Sequence, residues 1–260
     1  MNFAAISLDI AEAQPAANIA AAIAAIEQLP ADTDVIVLPE LFTTGFIPDG
    51  EAMARLAEPM HGPALTALRR IAHERNCLIC ASLDIADEGH LFNRGFIING
   101  LDGTEEHYDK RHLFSVSEES RIFTAGRQHM PTVNYKGWKV SMIICYDLRF
   151  PVWSRNTDHR YDMLLVPANW PISRGYAWTH LLIARAIENQ AVVVGANRSG
   201  SDRFGDYDNL SEIFDPLGMP IGYTPDSSQV VLASATLDDI ATARRRLPVH
   251  LDADQFDINL

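Results

Sequence analysis

Runs of consecutive apolar residues alternate along this chain with stretches whose apolar positions recur every three or four residues. Val35-Ile36-Val37-Leu38 has no polar position, the pattern of a strand buried on both faces. Cys77–Leu83, Lys139–Cys145, Met163–Val166 and Val192–Ala196 read as strands too, and Phe3–Leu8 as a first strand by weak alternation. Helical periods lie between them. Ala16–Leu29 puts Ile19, Ile23 and Ile26 on one face, opens after Pro15 and stops at Pro30. Ala64–Arg75 comes after Gly62-Pro63 and aligns Leu65, Leu68 and Ile71, and Trp178–Gln190 carries Leu181, Leu182, Ala184, Arg185 and Ile187. Leu91–Asn99 and Thr104–His107 flank the turn residues Asn99-Gly100 and Asp102-Gly103, which predicts a hairpin. Ser211–Phe214, the turn Asp215-Pro216-Leu217-Gly218 and Gln229–Thr236 predict closing strands, and Leu247–Leu260 has no period and reads as a tail. The alternation predicts an α/β architecture with helices covering a mixed sheet. Sites in such sheets collect at the carboxyl ends of strands. Glu40, Cys145 and Asn169 each come just past a strand end, and Lys110 comes just past the hairpin.

Composition narrows this picture. No Ser/Gly/Pro-rich tract, charge block or low-complexity run marks a linker, so the 260 residues are expected to form one domain, 1–260, with a tail from about residue 247. Hydrophobic content of 47% and a mean hydropathy of -0.04 are those of globular rather than disordered chains. A net charge of -13 argues against a nucleic-acid partner, which needs a basic face. The one basic run, Arg244-Arg245-Arg246, reads as a solvated helix end. No stretch reaches the roughly 18 apolar residues that span a bilayer. Met1-Asn2-Phe3-Ala4-Ala5 lacks the positive start of a signal peptide. Three cysteines make a poor disulfide framework, and the cytoplasm is the expected location. Cys77-Leu78-Ile79-Cys80 lies inside an apolar run. Residues three apart on a strand face opposite sides, so it reads as two core cysteines rather than a zinc or redox pair.

The third cysteine differs. Met142-Ile143-Ile144-Cys145-Tyr146-Asp147-Leu148-Arg149-Phe150-Pro151 runs from apolar to polar at the thiol, and its proline permits a fresh helix start. The stretch predicts a strand-to-turn-to-helix corner, with free N–H groups and a positive helix end favouring thiolate. The competing reading is a buried core cysteine. A nucleophile needs a base and an electrophile stabiliser. His107, His112 and His180 read better as surface histidines. Glu40 comes after a buried strand, where desolvation suits a carboxylate to general base work, against the alternative of a surface loop glutamate. Lys110 can favour thiolate and hold an oxyanion, against the alternative of a solvated lysine in Lys110-Arg111-His112.

The set Leu38-Pro39-Glu40, Tyr108-Asp109-Lys110-Arg111-His112-Leu113-Phe114 and Cys145–Pro151 resembles the nitrilase superfamily of carbon–nitrogen hydrolases over about residues 1–240. Ala184–Gln190 and Gly195-Ala196-Asn197-Arg198 resemble it as well. Ala168-Asn169-Trp170-Pro171, together with Cys145–Pro151, is similar to the omega-amidase (2-oxoglutaramate amidase) branch, and the longer form from Arg149 to Asn156 resembles its bacterial members. The resemblance implies a four-layer-forming αββα sandwich, a homodimer or larger assembly, and no metal or organic cofactor. It implies Glu40 as base, Lys110 as oxyanion stabiliser, Cys145 as nucleophile and a second, positioning glutamate at Glu119, with the adjacent Glu118 as the alternative. The substrate it implies is a small ω-amide of a 2-oxo dicarboxylic acid. The Tyr146 N–H can serve the oxyanion, Arg149 or Arg174 the free carboxylate, and Phe114, Asn169 and Trp170 the slot. Arg149 has an alternative in a structural pair with Asp147 or a neighbouring acidic group, and Phe114 and Trp170 in simple core packing. Two departures stand out. Asn209 replaces a family glycine in Tyr207–Ser211, and Ala177-Trp178 replaces a frequent His-Trp pair. The rival activities are an N-carbamoyl amine hydrolase, a deaminated-glutathione amidase and a true nitrilase. The rival class is a catalytically silent binding protein.

Overall fold

The computed structural model describes residues 1–207, 211–225 and 229–260. From the N-terminus, β1 (Asn2–Ile6) leads through α1 (Pro15–Glu27) to β2 (Val35–Val37), and α2 (Gly50–Leu56) and α3 (Pro63–Arg75) lead to β3 (Leu78–Asp87). The chain continues with β4 (His90–Asn99), β5 (Glu105–Asp109), α4 (Glu119–Ile122), β6 (Thr132–Tyr135), β7 (Trp138–Met142) and β8 (Met163–Ala168). It closes with α5 (Gly175–Asn189), β9 (Val192–Asn197), the hairpin β10 (Gly200–Asp202) and β11 (Gly205–Tyr207), β12 (Glu212–Phe214), β13 (Val230–Ser234) and α6 (Leu237–Arg246).

Two sheets result, ordered β13-β1-β2-β3-β4-β5 and β12-β9-β8-β7-β6. Each has three parallel strands at its centre and antiparallel strands outside them. The predicted hairpin is β4–β5, paired from Arg94↔Asp109 to Ile98↔Glu105. One apolar cluster joins inward residues of both sheets, such as Val37, Cys80, Met142 and Leu165, to Trp178 and Leu182 of α5 and Ile240 of α6. A second joins the outer face of the six-stranded sheet to Ala22 and Ile26 of α1 and to Leu65, Leu68 and Ile71 of α3. The layers are therefore helix, sheet, sheet, helix. The sheets approach so closely at β4 that a Cβ on Gly95 would lie 2.1 Å from the Met142 Cε, which explains a glycine inside a strand. Cys77 lies in the outer cluster and Cys80 between the sheets, as residues three apart on extended backbone require. Burial pushes the Cys77 thiol up to about 11 and that of Cys80 higher still.

Several expectations need correction. β7 ends at Met142 rather than Cys145, because the backbone turns out of the ladder two residues after Ile143 N–H bonds Leu165 O. α6 arises from a Thr236–Asp239 capping box that apolar periodicity does not register. Its basic end is not merely solvated: Arg244 pairs with Asp162 at 2.7 Å and donates to Tyr161 and Gln190 carbonyls. The tail holds a 3-10 turn at Val249–Asp252. Ile258 then packs on the core, and Asn259 O accepts from Arg111 Nη2. The Asn209 departure lies outside the described residues. Among those described, no helix is long and apolar enough to cross a membrane.

Candidate active site

Cys145 stands where the chain leaves β7. Its φ is +43°, in the left-handed region that residues other than glycine rarely occupy, at a cost on the order of 1–3 kcal/mol. The chain passes from there into a five-residue 3-10 turn, Cys145–Arg149, and no helix starts at Pro151. Asp147 holds this turn in place from a fully buried position. Its Oδ2 accepts from Ile144 N at 3.1 Å and from Tyr108 Oη at 2.8 Å, and its Oδ1 accepts from His112 N and His112 Nδ1, each at 2.8 Å. Tyr108, Arg111 and His112 flank Lys110, so one carboxylate ties the cysteine turn to the lysine loop. His112 is therefore a structural partner rather than a surface histidine, and its ring stacks on Phe150 at 3.8 Å.

Glu40 ends the segment after β2 and reaches across to the other sheet. Its N–H donates to Ala168 O, and its Oε2 accepts from Asn169 N at 2.9 Å. Lys110 comes directly after β5, with its N–H on Asn93 O at 2.9 Å. Its Nζ donates to Glu40 Oε1 at 2.7 Å and to both Glu119 oxygens at 2.8 and 3.0 Å. Glu119 Oε2 also accepts from Phe114 N at 2.6 Å. Glu40, Lys110 and Glu119 are all nearly sealed from solvent, at 4%, 2% and 4% exposure. Glu118 instead pairs with Arg121 on the surface, so the buried partner is Glu119.

The electrostatics differ from the corner expected at Cys145. Burial opposes charge on Lys110, but Glu119 first and Glu40 second hold its ammonium well above the ordinary lysine range. Burial and the Glu40 carboxylate push the Cys145 thiol well above its ordinary value, and Lys110 offsets this in part. The positive helix end invoked for a standing thiolate is absent, because the turn is a short 3-10 turn. The arrangement therefore suits a thiol that loses its proton to a base during reaction. The first bond within the turn is Asp147 N–H to Ile144 O, so the Tyr146 N–H precedes the ladder.

These groups open into a cavity of about 170 Å³. Phe114, Tyr146, Arg149, Asn169, Trp170 and Arg174 line it with Glu40, Lys110, Glu119 and Cys145. The Arg149 guanidinium lies 4.7 Å over the Trp170 ring and that of Arg174 5.2 Å over the Phe114 ring. Neither has a carboxylate partner among the described residues, and Asp147 is occupied elsewhere. The structural pair considered for Arg149 does not form. Among the described residues no cluster of His, Cys, Asp or Glu could hold a metal ion.

A family model described as carbon–nitrogen hydrolase matches residues 3–245. The chain belongs to the carbon–nitrogen hydrolase family. It is 42% identical over 226 residues to omega-amidase YafV of Escherichia coli strain K12, covering 86% of this chain and 85% of the relative. It is 32% identical over 249 residues to 2-oxoglutaramate amidase of Bacillus subtilis, covering 95% of each. XC1258 of Xanthomonas campestris, described as a CN-hydrolase superfamily protein with an arsenic adduct in the active site, superposes with a TM-score of 0.91. It is 36% identical, and the match covers 99% of this chain and 98% of that one. The αββα fold is that of this superfamily.

Every site residue named from the sequence lines this one cavity, which brings a thiol, two carboxylates and an ammonium together. Sequence reasoning passed over three features. Asn93, buried in β4, donates from one amide nitrogen to Glu40 Oε1 at 2.8 Å and to Glu119 Oε1 at 3.1 Å. Ser82 donates to Asn93 Oδ1 at 2.6 Å and accepts from Leu41 N. The β10–β11 hairpin places Phe204 at the mouth, 5.7 Å from Phe46. The signal for Asn93 was a polar residue in an apolar strand, and for the hairpin it was Gly200 and Gly205 around Arg203-Phe204.

Proposed function

We propose that this hydrolase cleaves the terminal amide of small 2-oxo dicarboxylic acid monoamides, 2-oxoglutaramate and 2-oxosuccinamate, to the dicarboxylate and ammonia. The carrying observation is the buried Glu40–Lys110–Glu119 cluster beside Cys145, in a small cavity that also presents two arginines with no acidic partner among the described residues. Glu40 takes the thiol proton as Sγ attacks the amide carbonyl carbon. The oxyanion meets Lys110 and the Tyr146 N–H. The C–N bond breaks as Glu40 passes its proton to nitrogen, leaving ammonia and a thioester. Water, deprotonated by Glu40, adds to the thioester. Loss of the sulfur returns the thiol and the acid. Glu119 shares the Lys110 ammonium and orients it. The substrate carboxylate meets Arg149 or Arg174, for which guanidinium geometry is suited, and Phe114, Asn169 and Trp170 wall the slot. The similarity to an omega-amidase and a 2-oxoglutaramate amidase supports this substrate class. One hydrolase domain over 1–260, a homodimer or larger assembly and a cytoplasmic location belong to the same reading. Light scattering tests the assembly, and a monomeric mass overturns that part.

The deciding experiment is ammonia release from 2-oxoglutaramate, an N-carbamoyl amine, a nitrile and deaminated glutathione, with wild type and Cys145→Ala. Preferential turnover of 2-oxoglutaramate by wild type alone is expected. A better rate on another amide overturns the substrate, and activity in Cys145→Ala overturns the mechanism.

A further inference from the structure

We propose that Asn93 is a positioning residue whose amide nitrogen holds Glu40 and Glu119 in place, so that Lys110 can exchange a carboxylate for the substrate oxyanion. The inference rests on the reading that Glu40 acts on the Cys145 proton. Two donors, Lys110 Nζ and Asn93 Nδ2, each reach the same two acceptors, Glu40 Oε1 and Glu119 Oε1, at 2.7 to 3.1 Å. The ring holds two carboxylates and one ammonium. If Lys110 alone held them, turning its Nζ toward an oxyanion would leave like charges facing each other in a dry site, where that repulsion is strong. An amide donor is neutral, does not ionise at these pH values and has no reason to move. It keeps both oxygens bonded while the lysine changes partner.

The surroundings fix which end of the amide faces the carboxylates. Glu40 and Glu119 accept only, so the Asn93 nitrogen points at them, and its Oδ1 accepts from Ser82 Oγ at 2.6 Å, which itself accepts from Leu41 N. The Asn93 backbone carbonyl accepts from Lys110 N, so the strand that carries the amide also sets the lysine's origin. Ser82 and Asn93 are buried to 0% exposure, so bulk solvent does not compete for these bonds.

The test uses the full chain, with Asn93→Asp, Asn93→Ala and Ser82→Ala. Iodoacetamide alkylation of Cys145 is followed from pH 6 to 10, and kcat and KM are measured on the amide that wild type turns over best. Asn93→Asp places a third carboxyl against the other two, so its alkylation profile is expected to move up by about one pH unit or more. In Asn93→Ala, kcat is expected to fall about 10- to 100-fold with KM within about twofold, since binding outside the reacting bond is untouched. Ser82→Ala removes the donor that anchors the amide oxygen and is expected to lower kcat about threefold to tenfold. It keeps the idea testable if Asn93 variants fail to fold. A merely structural Asn93 predicts a lower melting temperature with a wild-type alkylation profile and wild-type kcat, and that result overturns the inference. Alkylation needs no substrate. A shifted profile with no turnover of 2-oxoglutaramate therefore supports the inference and overturns the substrate reading, and an unshifted profile overturns the inference whatever the substrate.

Discussion

Asp147→Asn removes one charge from beneath Cys145 and changes almost no volume. The carboxylate is fully buried and accepts from four donors, two on each oxygen. An asparagine keeps one acceptor oxygen and turns an NH2 toward the other pair. Two donors then face a donor in a dry site, at about 1–3 kcal/mol each. The Tyr108 hydroxyl can rotate away, and the backbone N–H groups of Ile144 and His112 cannot. We therefore expect a loss of about 3 kcal/mol, a large part of the roughly 5–15 kcal/mol that holds a typical fold. At about 2–4 °C per kcal/mol for a chain of this size, melting should fall by about 6–12 °C. Urea denaturation of wild type, Asp147→Asn, Tyr108→Phe and the double variant separates the terms. Residues in one network should couple by about 0.5 kcal/mol or more. The same loosening should lower kcat, because Asp147 holds the Ile144 N–H directly before a cysteine in left-handed backbone. A loss under about 1 kcal/mol, or strict additivity with Tyr108→Phe, refutes the argument.

Asp84 gives a prediction in pH. It is 1% exposed, neither oxygen has a partner among the described residues, and burial first and Glu58 second push its carboxyl up to about 8 from 3.8. The folded state thus holds this proton more tightly than the unfolded one. The site costs no stability below about pH 4, and wild type loses stability as pH rises towards 8, by at most about 1.4 kcal/mol per unit. Asp84→Asn lacks that proton, so its advantage in urea should grow from pH 5 to 8, and a difference flat across that window refutes the assignment. Arg149→Gln and Arg174→Gln should raise KM for 2-oxoglutaramate at whichever residue binds the carboxylate, about tenfold or more with kcat retained. Unchanged KM at both removes them from the site.

Much of the architecture was legible in the chain because its causes are local. Uninterrupted apolar runs marked β2, β8 and β9, and three-to-four periods marked α1, α3 and α5. α2 and α6 were passed over because their start signals are polar: Asp49 caps the first through Glu51 and Ala52 N–H groups, and Thr236 caps the second. Placement just past strand ends and the hairpin likewise singled out Glu40, Cys145 and Lys110, and the family resemblance added Glu119. Their surroundings were not legible. Asn93 lies 53 residues from Glu40 and 26 from Glu119 along the chain, yet one nitrogen bonds both. Asp147 took Tyr108, Ile144 and His112 rather than Arg149, and that left a guanidinium for the cavity. Burial and the facing Glu40 carboxylate push the Cys145 thiol up, where its sequence neighbours suggested the opposite. Apolar spacing and capping act between neighbours in sequence, and so sequence alone determined the elements and the reactive groups. Hydrogen-bond partners and proton affinity depend on distance and dielectric in space, and only the packed sheets decided those.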